Sequence, residues 1–208
     1  MLPVIRPILI VLALAAAGCG SSAELPPAAG PDRSPPLERR PAGELVDTAP
    51  VPAKGTEALV DGDRKLAVLS PRRRVLELYD ARTRERLDSA PAGAGPTHVV
   101  AGEGGLAYVV DTAGDGLLVF ETRGPLRIRR RYPLPGAPYG AASDLRNGRL
   151  WVTLTARNQI VELATSARPH RLNLYPSVRQ PNAVAVDPAG RVFVHGDQVQ
   201  LLDPRRTR

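Results

Sequence analysis

The stretch Tyr108-Val109-Val110-Asp111, YVVD, has three counterparts elsewhere in the chain: AVLS at Ala67, WVTL at Trp151 and FVHG at Phe193. Successive copies are 41, 43 and 42 residues apart. Each is followed, across a short polar loop, by a second strand-like run: VLELYD from Val75, LLVFET from Leu117, QIVELA from Gln159 and QVQLLD from Gln198. Each is preceded by a small apolar run and a turn. The turns are DGDRK from Asp61, GEGG from Gly102, DLRNGR from Asp144 and DPAGR from Asp187, rich in residues that tolerate tight reversal. The preceding runs open at Gly55-Thr56, Pro96-Thr97, Pro138-Tyr139 and Pro181-Asn182. Apolar and polar residues alternate with period two throughout, and no segment carries a helical stripe.

Four short strands repeated about every forty residues predict the blades of an all-β propeller. With the strands of each blade lettered a to d from the axis outward, the d strands are ERLDSAP from Glu85, LRIRRRYPLP from Leu126 and HRLNLYP from His170. The fourth unit supplies a, b and c and then reads Asp203-Pro204-Arg205-Arg206-Thr207-Arg208, with no d. Near the other end, ELVDTAP, Glu44 to Pro50, is a d-like strand with no a, b or c ahead of it. The expectation is four four-stranded blades, with Glu44–Ala53 crossing to pair with the Gln198–Asp203 strand and close the ring. Closure removes exposed sheet edges. An open ring and a larger ring shared by two chains, a homodimer, are the alternatives. The Tyr108 and Trp151 units resemble the YVTN-type β-propeller repeat, and the resemblance covers about residues 44 to 203. That family includes surface proteins, binding modules and lactonase-like enzymes, so the resemblance bears on fold more than on function.

The amino-terminal residues carry a different pattern. Arg6 precedes an apolar run, Ile8 to Ala17, which is too short for a membrane-spanning helix of roughly 20 residues. It fits the core of an export signal. Ala16-Ala17-Gly18-Cys19 resembles the lipobox of bacterial lipoproteins, departing at Ala16, where the pattern usually has Leu. That resemblance implies a signal peptide over 1–18 and lipidation of Cys19. It also places the protein on the outer face of the cell membrane. Cys19 is the only cysteine, so no internal disulfide can form. Residues 19–43 then read as a proline-rich tether that cannot bury enough surface to offset its ordering entropy. At roughly 3 Å per residue in polyproline II it would reach about 70 Å. Residues 44–208 form the propeller domain.

In an antiparallel blade the d–a and b–c connections share one face. The expected axial mouth therefore collects Thr56, Glu57, Thr97, His98, Tyr139 and Asn182, the ligand-binding set. Farther out on the same face come Arg72, Arg73, Arg74, Asp111, Asp115, Arg157, Asn158, His195 and Asp197. Polar groups converging on an axis form the default binding-site expectation. Glu57 and His98 occupy the same repeat position in adjacent blades, where Gly140 and Ala183 stand in the others. Two such groups are too few for a closed metal site, so no metal and no cofactor are expected. The loop DTAGDG, Asp111 to Gly116, lacks the spacing of a calcium loop. Net charge is +7, with Lys54 and Lys65 the only lysines, but no recognition helix or aromatic–basic platform accompanies it, and nucleic acid is not an expected partner. The charged runs Arg72–Arg74 and Arg129–Arg131 fall on different parts of the repeat; an outer-strand run blunts an edge.

These features predict a lipid-anchored, extracytoplasmic module that binds a protein or small molecule without catalysis. Pro138-Tyr139-Gly140 with Gly148-Arg149-Leu150-Trp151 is similar to repeats of propeller lyases and lactonases. That resemblance implies an enzymatic alternative with Glu57 and His98 at the mouth. A structural part in an envelope complex is the third expectation.

Overall fold

A computed structural model describes residues 56–62 and 64–205. The expected clasp strand, the tether and Cys19 lie outside the described residues. The first sheet contains β1 (Thr56–Val60), β2 (Lys65–Ser70), β3 (Val75–Asp80) and β4 (Arg86–Pro91). The second contains β5 (Pro96–Gly102), β6 (Leu106–Asp111), β7 (Gly116–Glu121) and β8 (Arg127–Pro133). The third contains β9 (Pro138–Asp144), β10 (Arg149–Leu154), β11 (Gln159–Ala164) and β12 (Arg171–Pro176), with one 3-10 turn at Thr155–Arg157. The fourth has β13 (Ala183–Val186), β14 (Val192–His195) and β15 (Val199–Leu202). Within each sheet the strands pair antiparallel in chain order. The predicted a, b, c and d strands are thus present in three blades, and a, b and c in the fourth.

The blades stack face to face through three apolar joins. Ala67, Leu69, Leu76 and Leu78 of the first blade meet Val99, Val109, Leu118 and Phe120 of the second. The other face of the second blade, with Tyr108, Val110, Leu117 and Val119, meets Leu150, Val152, Val161 and Leu163 of the third. Trp151 and Ile160 then pack on Val192 and Val194 of the fourth. Because β6, β7, β10 and β11 are covered on both faces, they read as near-continuous apolar runs. The outer β8 and β12 alternate instead, one side being wet.

The fourth blade differs from the rest. Val199 pairs with His195 as Leu76 pairs with Leu69, Leu117 with Val110 and Ile160 with Thr153. Yet Val199 is 68% exposed, whereas Leu76, Leu117 and Ile160 are fully buried. Leu201 is 54% exposed, whereas its counterparts Leu78 and Val119 are buried. Among the described residues no apolar cluster joins the fourth blade to the first.

Two buried carboxylates interrupt the apolar stack, and both are held by donors. Glu77 accepts from Tyr79 Oη at 3.2 Å and from Arg73 and Arg86 at 3.3 and 3.4 Å. Glu162 accepts from Arg149 at 2.8 Å, Asn173 Nδ2 at 2.7 Å and Tyr175 Oη at 3.1 Å. Burial, with the Glu162 charge alongside, pushes the Tyr175 hydroxyl up to about 12. Satisfied in this way, a buried charge avoids the desolvation penalty of an unpaired one.

Candidate functional site

The two connections expected on one face are stitched together, in the first three blades, by the turn before the c strand. Arg74, Asp115 and Asn158 adopt φ of 55°, 45° and 51°. Asn and Asp tolerate that conformation better than most side chains. The carbonyls of these three accept from Ala92, Leu134 and Ser177 in the following d–a loop at 2.7, 2.8 and 2.9 Å. Asp115 Oδ1 also accepts from the Gly136 and Ala137 amides, and Asn158 Oδ1 from the Gln180 amide. Those amides of Ala137 and Gly136 hold the Asp115 carboxyl below its usual range. Asp111 is buried and takes the amides of Ala94, Gly95 and Gly114 at 3.0, 2.7 and 3.2 Å. Asp111, Asp115, Asn158 and Asp197, the last of which accepts from the Arg179 amide at 3.0 Å, therefore serve as loop clamps.

The residues expected at the mouth all stand at the start of innermost strands, on this stitched face. Three of the six hold neighbouring strands together. Thr56 Oγ1 accepts from the Val99 amide at 3.1 Å, linking β1 to β5. Thr97 Oγ1 donates to the Tyr139 carbonyl at 3.0 Å, linking β5 to β9. Asn182 Oδ1 lies 3.0 Å from His195 Nδ1, closing the β13–β14 pair. His98 and Tyr139 meet edge to face, with ring centres 5.4 Å apart. His98 Nδ1 is buried without a hydrogen-bond partner. Burial lowers the His98 pKa, with the Tyr139 backbone acting in the opposite direction. The imidazole is consequently neutral near pH 7. Glu57 sits in β1 opposite Val68, and its side chain lies outside the described residues, so no Glu57–His98 geometry is described.

Two threonines absent from the expected set belong to the same arrangement. Thr112 Oγ1 reaches the Pro138 carbonyl and lies 3.0 Å from Thr97 Oγ1. Thr155 Oγ1 donates to the Pro181 carbonyl at 3.0 Å. Each directly follows a b strand and fastens the first residue of the next unit. That shared repeat position, Asp111-Thr112 and Leu154-Thr155, was a signal in the sequence.

The charged runs separate as expected: Arg73 reaches Glu77, whereas Arg129 on β8 pairs with Glu121 at 3.0 Å. Two cavities among the described residues lie between the third and fourth blades, at the a–b and c–d loops. One, of about 320 Å³, is lined by Ser143, Asp144, Leu145, Arg146, Val186, Asp187 and Pro188. The other, of about 240 Å³, includes Arg149, Trp151, Glu162 and Arg205. Neither was legible before the blades were assembled, because each needs loops from two repeats. Among the described residues no group of three or more His, Cys, Asp or Glu side chains is placed to hold a metal.

No protein-family model and no curated protein matches the chain. Solved structures do. A functionally unknown protein from Desulfotomaculum acetoxidans superposes with a TM-score of 0.63 at 14% identity, over 71% of this chain and 50% of that one. Virginiamycin B lyase from Staphylococcus aureus gives 0.57 at 14% identity, over 72% and 52%. The periplasmic gluconolactonase of Pseudomonas aeruginosa gives 0.58 at 18% identity, over 73% and 50%. The fold is a β-propeller. The chain spans about half the length of these propellers, and the likeness shows architecture alone.

Proposed function

We propose that this propeller is a lipid-anchored, extracytoplasmic binding module that takes a protein or small molecule at its axial mouth without catalysis. The observation that carries this reading is the division of labour at the mouth. Thr56, Thr97 and Asn182 are committed to holding strands, which leaves Glu57 and the His98–Tyr139 ring pair as the members of the set available to a ligand. An aromatic pair with a few polar groups suits recognition. The lipobox-like Ala16 to Cys19 and the proline-rich residues after it support the anchored placement.

Two measurements test it. Cys19→Ala should release the protein from the membrane fraction into the soluble exported fraction; retention on the membrane would remove the anchor. A photoreactive residue at Tyr139 should give an adduct in intact cells that the same residue at Arg130, on outer β8, does not.

The enzymatic reading is favoured by the lyase and gluconolactonase among the structural neighbours. Here neutral His98 would act as a base. Turnover of glucono-lactone by the purified protein, lost in His98→Ala, would replace the binding reading.

A further inference from the structure

The join between the third and fourth blades carries side chains that the repeat itself does not call for. Trp151 stands opposite Glu162 across the β10–β11 pair. The same pairing elsewhere sets Ala67 against Leu78, Tyr108 against Val119 and Phe193 against Leu201. Glu162 is thus a buried carboxylate at a position that is apolar in the other three blades. Both of its oxygens are engaged, Oε1 by Arg149 Nε at 2.8 Å and Oε2 by Asn173 and Tyr175. It thereby holds the Arg149 guanidinium, which has donors beyond Nε, on the same side of β10 as Trp151.

Trp151 is 1% exposed, and among the described residues its Nε1 has no hydrogen-bond partner. Repeat equivalence gives that atom's direction. Tyr108, at the same repeat position, donates its hydroxyl to the Ser166 carbonyl at 3.0 Å, in the c–d loop of the following blade. Ser166 lies four residues after Glu162, and Arg205 lies four after Leu201, so Arg205 takes the place of Ser166 at the next join. There Trp151 and Arg205 line the cavity of about 240 Å³ instead of closing on each other through a hydrogen bond.

The acceptors in the cavity wall are already committed. Asp144 accepts from the Asn147 amide and from Asn147 Nδ2, and Glu162 is fully engaged. The groups with hydrogen bonds still to give are donors: the indole N–H, Arg149 and Arg205. A buried donor left unmet is costly. A carboxylate offers two acceptor oxygens and a charge complementary to arginine. The volume is that of about eight waters, which limits the occupant to a small molecule.

We propose that this join is a binding site for a small organic carboxylate, which accepts from Trp151 Nε1 and pairs with Arg149. The residues lining it are not those of the expected mouth, so the site stands whether or not the mouth binds a ligand.

Trp151 is the only tryptophan of the chain, so its indole N–H gives a single magnetic resonance signal that reads this join alone. The experiment titrates the full chain with sodium acetate, lactate, succinate and citrate at constant ionic strength. Sodium chloride, sodium phosphate and glycerol serve as comparisons. The expected result is a saturable shift of the indole signal with a carboxylate and none with the three comparisons. Arg149→Gln/Glu162→Gln removes both charges together and strands neither. It should bind that carboxylate at least about tenfold more weakly, the ordinary weight of a hydrogen bond to a charged group. No shift with any carboxylate would overturn the proposal and leave water as the partner of the indole. An equal shift with phosphate, or an unaltered affinity in the folded double variant, would overturn it as well. If the variant does not fold, the wild-type titration decides alone.

Discussion

His98 shows what one side chain does when a repeat position is reused. Its matching residues, Gly140 and Ala183, have no polar side chain, so nothing in the repeat was built to satisfy an imidazole there, and Nδ1 is left buried without a partner. Burial lowers its pKa from 6.5. Above that value the ring is neutral whether the chain is folded or not, and it contributes no pH dependence. As pH falls below it, the unfolded chain takes up the proton first, so folding stability drops until the folded-state pKa is also passed. His98→Gln should therefore flatten the loss of stability between pH 7 and pH 5, measured by urea unfolding at each pH. Equal slopes for both proteins would mean that the ring is solvated. The residue's place near the start of an innermost strand was legible from the repeat. Its unpartnered nitrogen was not, because that depends on how far Tyr139 of the next blade approaches.

At the scale of elements, strand identity was the easiest feature to read. VLELYD and QIVELA coincide with β3 and β11, because period-two alternation, a turn on each side and a fixed repeat all point to the same residues. The fastening of one inner strand to the next was harder to see. Thr112 and Thr155 act across a join between blades, and neither contact follows from pattern within one unit. Gly140 is the extreme case. A Cβ built there would lie 2.7 Å from the Asn182 carbonyl oxygen and 3.0 Å from Ala183 Cα, so β9 and β13 approach as closely as they do only because the side chain is missing. Its amide also donates to buried Thr153 Oγ1 at 2.8 Å. Gly140→Val should push the strands apart and cost about 1–3 kcal/mol, the usual range for overpacking. Chemical denaturation would check this, and an unchanged midpoint would show that the loops absorb the added volume.

For the whole molecule, the apolar joins among the described residues each connect blades that are neighbours in sequence. Stability is then a sum of blade and join terms, as in other repeat architectures. Strain introduced by Gly140→Val should stay local: amide exchange should quicken in β13, β14 and β15 and remain unchanged in β2 and β3. Uniform acceleration would instead reveal an all-or-none ring. The repeat made the number of described blades readable in advance. The angle between them was not readable, because it depends on side-chain volumes at the joins, where Tyr108 and Trp151 in two blades stand at the position that Ala67 and Phe193 hold in the others.

The stitching of the turn before the c strand to the loop that starts the next unit, present in the first three blades, has one more consequence. Because the same backbone bond recurs at Arg74, Asp115 and Asn158, each of these three units carries both halves of its own coupling. A gene duplication of one whole unit would slot into the series with its connectors already matched. Loss or gain of half a unit would separate a turn from the loop it is stitched to, so the connectors stay matched only when such chains change length in whole steps.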